Sequence, residues 1–224
     1  MSENFLALLS GGLDSTAAAC LAAHDARCAL AVTFDYGQAA RARELAAART
    51  VSAHLGAEHV AISLPWLGEL LPGAMSGEAE PPADEGASGA RAVWVPNRNA
   101  VLIACAAALA EARGISRLVV GFNVQEGEHF GDNTAEFVTR TNAALALSTA
   151  NALRLESPTV AMNKREIVRA ARELGAPLAR IWSCYAAEEK HCGRCASCRR
   201  AERAFREAGV PHAEWPAGLG PEEA

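Results

Sequence analysis

The segment LALLSGGLDSTAAA (6–19) carries residue types that could hold a phosphate. Ser10 and two glycines directly follow an apolar run, and Asp14 and Ser15 lead into a run of alanines. Glycine lets the backbone approach a ligand closely, while N–H groups and hydroxyls converge at the positive end of the next helix. The lysine of the GxxxxGK[ST] loop is absent, so Asp14 beside phosphates calls for a metal ion or another donor. The alternative is a tight turn with Asp14 as a helix cap.

Four cysteines form a second group that could do chemistry. Cys184, Cys192, Cys195 and Cys198 have the spacing C-x7-C-x2-C-x2-C. Four thiolates can close a tetrahedron around zinc and leave no position for water or substrate, so this spacing predicts structural zinc. The alternative is redox or sulfur-carrier chemistry by a C-x-x-C pair. Nearby cations that could offset the thiolate charge are Lys190, His191, Arg194, Arg199 and Arg200.

Other polar residues are weaker candidates. Asp35, Tyr36 and Gln38 follow an apolar run, where they could contact a ligand or only form a turn at a strand end. Arg98 stands at the start of an expected helix, a good place for a guanidinium that reaches phosphate or carboxylate. Lys164 also begins an expected helix and could supply the charge that the glycine loop lacks, or be a solvated lysine.

Strand and helix patterns alternate along the chain. Strands are predicted at 5–9, 28–34, 59–64, 118–122 and 153–156, and helices at 14–26, 38–55, 97–113, 136–150 and 164–174. This alternation predicts a doubly wound parallel sheet, a Rossmann-like α/β fold with helices on both faces. Ligands of such folds bind at the carboxyl ends of the strands, where the glycine loop lies.

Composition changes divide the 224 residues into unequal parts. Residues 1–180 are predicted to form the α/β domain, and 181–210 a zinc-binding helical segment. Residues 72–92 are rich in Pro, Gly, Glu and Ala, which predicts a flexible insertion, either a lid or a solvated loop. Residues 211–224 have a similar composition and are predicted to be a flexible tail.

The overall charge and the apolar runs exclude some classes of protein. The formal net charge is −5, which argues against a protein whose main function is to bind nucleic acid. A basic leader before an apolar run is absent, and the apolar runs are shorter than the ~20 residues that span a bilayer. We therefore expect a cytoplasmic protein with neither a nucleic-acid nor a membrane partner.

Several motifs together resemble a known family. SGGLDST (10–16) resembles the pyrophosphatase-type loop of adenine-nucleotide alpha-hydrolase-like enzymes. TFDYGQ (33–38), VPNRN (95–99), NKREIV (163–168) and WSCY (182–185) before the cysteines are similar to the 7-cyano-7-deazaguanine synthase family. The resemblance implies an ATP-dependent C–N ligase of queuosine- and archaeosine-type 7-deazapurine biosynthesis. It would convert 7-carboxy-7-deazaguanine and ammonia into the nitrile, by adenylation and through an amide, and would be a homodimer.

The resemblance also implies ligands and residue roles. ATP, Mg²⁺ and one structural Zn²⁺ per chain are expected. The implied catalytic residues are Ser10, Asp14, Ser15, Arg98 and Lys164. The implied ATP-binding residues are Leu8, Leu9, Ser10, Gly11, Gly12, Leu13, Asp14, Ser15, Thr16, Ala17, Ala18, Phe34, Tyr36 and Gln38. The implied substrate-binding residues are Asn97, Asn99, Phe122, Glu126, Phe130 and Asp132, and the implied metal ligands are Cys184, Cys192, Cys195 and Cys198.

One segment departs from the commoner pattern of that family. GFNVQEGEHFGDNTAEFV (121–138) is closer to a branch with Phe-Asn, paired acids and Phe-Pro-Asp-Asn, in which Gly131 here replaces the proline. A carboxylate could accept the N1–H and 2-amino group of a 7-deazaguanine, which makes Asp132 and Glu126 the candidates. Phe122 or Phe130 could cover the ring face. The alternative is that Asp132 caps the next helix.

Two other functions use some of the same features. A tRNA sulfur transferase could carry the same loop, but it would need a basic RNA-binding face and a persulfide cysteine. A zinc-ribbon binding module would not need an intact SGGLDS loop. The sequence also leaves open whether ATP yields AMP and pyrophosphate or ADP.

Overall fold

A five-stranded parallel sheet forms the centre of the computed structural model, which describes residues 3–220. The strands are β1 (Asn4–Leu8), β2 (Arg27–Asp35), β3 (Glu58–Ser63), β4 (Arg117–Val119) and β5 (Arg154–Glu156). Their spatial order is β3-β2-β1-β4-β5, and every neighbouring pair is parallel. The order reverses between β1 and β4, which opens a crevice beside the carboxyl end of β1. The predicted doubly wound α/β fold is confirmed.

Ten α-helices surround the sheet within the described residues. They are α1 (Leu13–Ala22), α2 (Arg41–His54), α3 (Pro65–Gly68), α4 (Gly73–Ser76), α5 (Ala87–Ala92), α6 (Arg98–Ala112), α7 (Val124–Gly127), α8 (Ala135–Ser148), α9 (Lys164–Glu173) and α10 (Ala196–Ala208). Single 3₁₀ turns lie at Gly131–Asn133, Leu178–Arg180 and His212–Glu214. Every strand and long helix that the sequence predicts is present, with ends shifted by a few residues.

The two faces of the sheet bury different helices. On one face, Leu6 and Leu30 pack with apolar residues of α6 and α8. On the other, Phe5 and Ala31 pack with α1 and α2. Because both faces are covered, β2 is apolar almost throughout instead of alternating in polarity. Helices α9 and α10 continue this layer beyond α1 in a further cluster that contains three of the four cysteines.

Helix α1 ends earlier than its composition predicts. The alanine-rich run predicts a helix to residue 26, but the helix ends at Ala22. A turn follows, and Arg27 N donates to Glu3 O at 2.9 Å as β2 begins beside β1. The demands of strand pairing therefore outweigh the helix propensity of alanine here.

Segment 72–92, predicted to be a flexible insertion, carries α4 and α5 and is bound to the body near its start and at its middle. Ala39 N donates to Met75 O, and Ala196 N donates to Pro82 O, both at 2.8 Å. Met75 is buried, and the segment contributes to the main apolar core.

The chain after α10 makes side-chain contacts with the body up to residue 220, in a segment whose composition predicts a flexible tail. Trp215 packs against Phe205 with the two rings tilted by 56°, and it donates from Nε1 to Val210 O at 2.9 Å. Leu219 is buried in the same cluster. The composition of residues 211–220 gives little sign of these apolar contacts, because only Trp215 and Leu219 make them. Residues 221–224 of the predicted tail lie outside the described residues.

Candidate active site

The glycine loop joins β1 to α1 and is fixed by close backbone packing. Gly11 has φ +76°, and a Cβ there would lie 2.7 Å from both Ala48 N and Glu44 O of α2, so only glycine fits. Gly12 occupies the N-cap position of α1, and no side chain of the described residues caps this helix. The amides of the first turn therefore stay available for an anion. The hydroxyls of Ser10 and Ser15 lie 3.0 Å apart beside them.

Gly121, just after β4, packs directly against the backbone of this loop. A Cβ at Gly121 would lie 2.4 Å from Asp14 C and from Ser15 N. Any side chain would push the two segments apart. The sequence analysis missed this role, since a glycine at the end of an apolar run gives no sign of which backbone it approaches.

Asp14 and Lys164 meet beside the loop although they are far apart in the sequence. Lys164 Nζ donates to Asp14 Oδ2 at 2.5 Å and lies 3.6 Å from Glu126 Oε1. Arg200 of α10 lies 3.4 Å from the same Glu126 oxygen. The result is a row of alternating charges, Asp14–Lys164–Glu126–Arg200, of which only a small fraction is exposed.

The pKa values in this row follow from burial and from the neighbouring charges. Burial lowers the pKa of Lys164, but the carboxylates of Asp14 and Glu126 outweigh it, so the net shift is upward and the ammonium stays charged. Burial raises the pKa of Glu126, but Lys164, Arg200 and Arg98 outweigh it and hold that pKa below its usual range. Burial also raises the pKa of Asp14 despite the attraction of Lys164.

Asp14 is incompletely satisfied. Its Oδ1 atom is buried and has no hydrogen-bond partner within the described chain. A buried carboxylate oxygen of this kind needs a donor or a cation. Trp182 Nε1, on the same cavity wall, is also buried and unpartnered among the described residues. These two atoms fit a site that is completed by a ligand.

The end of β2 is held by a network around Gln38. The Gln38 amide donates to Phe34 O at 3.1 Å and to Glu44 Oε2 at 2.8 Å, and it accepts from Tyr36 N at 3.0 Å. Gln38 thus braces the turn that exposes Tyr36 to the cavity. Arg98, at the start of α6, donates to the Tyr36 hydroxyl at 3.3 Å.

The loop between β4 and α8 carries the other acidic candidate. Thr134 caps α8 by accepting from Phe137 N at 3.2 Å, so the alternative that Asp132 caps this helix is wrong. Asp132 instead lies in the preceding 3₁₀ turn and lines the cavity. Burial raises its pKa, against the opposing charge of Arg98 and a hydrogen bond from Asn133.

All these groups border one cavity of about 280 Å³ at the carboxyl ends of β1, β2 and β4. Predicted site residues that line it are Leu8, Leu9, Ser10, Gly12, Leu13, Asp14, Ser15, Phe34, Tyr36, Gln38, Arg98, Asn99, Phe122, Glu126, Phe130, Asp132 and Lys164. Lining residues that the sequence analysis missed include Glu44, Trp94, Trp182, Tyr185 and Ser197. Trp182 and Tyr185 lie within the WSCY motif, which was the one signal available for them.

Five of the predicted ATP-binding and substrate-binding residues do not line the cavity. Gly11 faces α2, and Asn97 takes a left-handed conformation (φ 54°) just before α6. Thr16, Ala17 and Ala18 are fully buried within α1, where Thr16 N donates to Gly12 O. Beyond the first turn, each amide of a helix donates to a carbonyl of the same helix. The amides that stay free for an anion therefore end at Ser15.

The four predicted metal ligands come together at the start of α10. The Sγ atoms of Cys184, Cys192, Cys195 and Cys198 all lie within 4.8 Å of one another. Amides of Ala186 and Cys195 point to sulfur, donating to Cys184 Sγ at 3.3 Å and Cys192 Sγ at 3.4 Å. Four soft thiolates supported in this way fit a tetrahedral metal.

Residues just before and among these cysteines form a wall of the cavity. Ser197 Oγ donates to Ser183 O at 2.5 Å, and Arg200 donates to the Tyr185 hydroxyl at 3.3 Å. Arg200, one of the cations expected to offset the thiolate charge, also lies 3.4 Å from Glu126 Oε1. His191 accepts from Ser183 N at 3.1 Å, and burial lowers its pKa.

Comparisons with known proteins agree with these features. Residues 4–209 match the model of the family "Queuosine biosynthesis protein QueC". A 7-cyano-7-deazaguanine synthase from Desulforudis audaxviator is 44% identical over 213 residues, covering 91% of this chain and 97% of that protein. The enzyme of that name from Methanosarcina barkeri is 44% identical over 219 residues, covering 92% and 94%.

The chain also has a similarity to a solved structure. The NMN synthetase from Francisella tularensis has 16% sequence identity and a TM-score of 0.45, covering 99% of this chain and 90% of that chain. Separately, none of the helices within residues 3–220 combines the length and apolar character needed to cross a membrane.

Proposed function

Because this chain belongs to the queuosine biosynthesis protein QueC family, we propose that it makes 7-cyano-7-deazaguanine from 7-carboxy-7-deazaguanine, ATP and ammonia. One observation carries the proposal. An uncapped helix start, the Asp14–Lys164 pair and the Asp132 carboxylate border a single cavity. The helix start can bind phosphate, the Asp14–Lys164 pair can stabilise charge at the reacting phosphate, and Asp132 can accept hydrogen bonds from a guanine-like edge.

The reaction needs activation because a carboxylate is anionic and its oxygen leaves badly. Transfer of AMP to a carboxylate oxygen releases pyrophosphate and creates a leaving group. Ammonia then displaces AMP, which departs with that oxygen, and loss of a proton leaves the amide. A second transfer of AMP, to the amide oxygen, releases a second pyrophosphate. Departure of that AMP and of the two N–H protons leaves the nitrile.

The residues around the glycine loop take the phosphate roles in this proposal. The amides at the start of α1 and the hydroxyls of Ser10 and Ser15 bind the phosphates of ATP. Arg98 and Lys164 stabilise the negative charge that develops on the α-phosphate and pyrophosphate. Since these donors are held in place before the reaction, they need little reorganisation during it.

Asp14 would hold Mg²⁺ in this proposal. Its unpartnered Oδ1 atom supports this assignment, because carboxylate oxygens are the usual protein ligands of Mg²⁺. Bound Mg²⁺ would neutralise phosphate charge. Lys164 keeps Asp14 oriented through the other carboxylate oxygen.

The two nucleobases are assigned to opposite sides of the crevice. We assign adenosine to the end of β2, where Phe34 and Tyr36 line the cavity and Gln38 braces the turn. We assign the 7-deazaguanine to the loop after β4. There Asp132 accepts the N1–H and the 2-amino group, a donor pair that adenine lacks. Asn99 lines the same cavity, and we assign it to the 7-deazaguanine as well.

The four thiolates would hold one zinc ion per chain. Four sulfur ligands complete a tetrahedron and leave no open position, so the ion is structural and takes no part in the chemistry. Its effect is to hold the wall formed by Ser183, Tyr185 and Ser197 against the cavity. We further propose free ammonia as the nitrogen donor, a homodimer and a cytoplasmic location.

The test is an assay of pyrophosphate release from ATP by the purified protein. Release that requires both 7-carboxy-7-deazaguanine and ammonium, with the nitrile identified by mass, is the expected result. In parallel reactions, tRNA and sulfide replace the acid and ammonium. Turnover only with tRNA and sulfide, or no turnover with the acid, would overturn the proposal.

A further inference from the structure

Two aromatic rings lie face to face at the cavity. Trp94 and Phe130 have ring centroids 5.8 Å apart and planes only 7° from parallel. Trp94 lies between α5 and α6, whereas Phe130 lies just before the 3₁₀ turn that carries Asp132. Both residues line the cavity. The pair therefore joins two separate segments across one side of the site.

The contact between these rings leaves much of the indole uncovered. Trp94 is 40% exposed, unlike Trp182 on the same cavity, which is 9% exposed. A tryptophan that served only the core would bury more of its large apolar surface. Parallel aromatic faces at a cavity are suited to a planar ring, because each face adds dispersion and quadrupole attraction.

The two rings cover each other only in part. Parallel rings stacked face on face lie about 3.5 Å apart, whereas these centroids are 5.8 Å apart. Part of the indole is therefore left open at the cavity. Asp132, two residues beyond Phe130, lines the same cavity and would meet the edge of a ring that stacks there.

We propose that Trp94 is a specificity-determining residue, and that the bicyclic ring of the 7-deazaguanine substrate stacks on the uncovered part of the Trp94 indole. This inference rests on the proposed function. The neighbouring carboxylate selects a guanine-like edge over adenine, so the aromatic pair serves the acid substrate and not ATP. Trp94 supplies the stacking face, and Phe130 holds the indole in this orientation.

Kinetics of substituted proteins test the proposal first. Trp94→Leu is expected to raise KM for the acid by about 10- to 100-fold, as removal of a base-stacking aromatic does elsewhere. Trp94→Phe keeps a flat face and is expected to stay within a few-fold of the wild type. Phe130→Leu should act like Trp94→Leu. Trp66→Leu is the matched control, since Trp66 is 50% exposed and lies on α3, outside the cavity lining.

Fluorescence provides a readout that does not require turnover. The acid should quench the emission of the wild type and of Trp66→Phe, and Trp94→Phe should lose most of that quenching. Equal KM values for the acid in the wild type and Trp94→Leu would overturn the proposal. So would quenching of Trp94 by ATP instead of by the acid. A wild type that neither binds nor converts the acid would overturn the proposed function itself, and this inference with it.

Discussion

The cysteine cluster and the cavity beside the glycine loop are built in opposite ways. All four cysteines come from one short segment, and three of them lie at or beside the first turn of α10. The cavity instead collects residues from the ends of β1, β2 and β4, from the start of α6 and α9, and from the segment before α10. The first site is local in sequence, and the second exists only when the sheet has formed.

This difference separates what each site does for the protein. A local cluster can stabilise its own segment, so its loss should disturb folding. A cavity made from distant segments depends on the fold but contributes less to it, so its polar residues can be replaced with a larger effect on activity than on stability. The two sites meet at Tyr185, Ser197 and Arg200. Substitutions on either side of these residues can therefore test whether stability and activity separate.

The largest expected effect is the loss of the metal. Cys195→Ser should release the zinc, lower the melting temperature strongly and abolish turnover. Structural zinc contributes roughly 10–16 kcal/mol in small zinc domains, and a whole domain is stable by only about 5–15 kcal/mol. Metal analysis and thermal denaturation measure both effects. The control Cys105→Ser, outside the cluster, should keep the metal; zinc retained in Cys195→Ser would refute a closed tetrathiolate site.

The next effect is on activity without loss of the fold. Asp14→Ala and Ser15→Ala should each lower kcat by about 10³-fold, because each removes a group that holds ATP and its metal ion. Circular dichroism and zinc content should stay near the wild type. Asp25→Ala, an exposed acid in the turn after α1, is the control. Near-normal turnover in both variants would refute the assignment of the loop.

A narrower effect is expected at Asp132. Asp132→Asn keeps the size but presents only one good acceptor to the two donors of the substrate edge. Loss of two charge-assisted hydrogen bonds at roughly 1.5–3 kcal/mol each should raise KM for the acid by roughly 10²–10⁴-fold. KM for ATP should change little, and since Thr134 caps α8, so should the melting temperature. Glu128→Gln, exposed on the same loop, is the control. An unchanged KM for the acid would transfer this role to Glu126.

The smallest effect is a pH dependence of stability at Glu126. Lys164, Arg200 and Arg98 hold the pKa of this carboxyl below its ordinary value of 4.5, despite burial. A group with a depressed pKa stabilises the fold above its unfolded pKa, and this contribution is lost as pH falls through the folded pKa. The difference in melting temperature between the wild type and Glu126→Gln should therefore be largest above pH 4.5 and shrink below it. A difference that stays constant from neutral to acidic pH would contradict the charge row.

The sequence could predict the cysteine cluster in full and the cavity only in part. Spacing alone identified all four cysteines, because a metal cluster within one segment leaves a local pattern. The loop residues from Ser10 to Ser15 were also predicted, because the whole string SGGLDS directly follows an apolar strand and leads into a helix. The sequence suggested a charge role for Lys164, but its pairing with Asp14 across 150 residues depends on the packing of α9 against α1.

Other features had no sequence signal of their own. Glu44 reaches the cavity because the glycine loop packs on α2, and Gly121 matters because β4 lies beside β1. Trp94 becomes a candidate binding residue only because another loop places Phe130 parallel to it. These are consequences of tertiary contact, and a reading of one sequence for periodicity and motifs cannot supply them.

Oxygen labelling tests the central claim, that this cavity activates a carboxylate by adenylation. The acid is prepared with ¹⁸O in both carboxylate oxygens and converted with unlabelled ATP and ammonium. The account predicts two AMP molecules for each nitrile, each carrying one ¹⁸O, and unlabelled pyrophosphate. Label found in inorganic phosphate together with ADP, or AMP without label, would contradict transfer of AMP to the substrate oxygens.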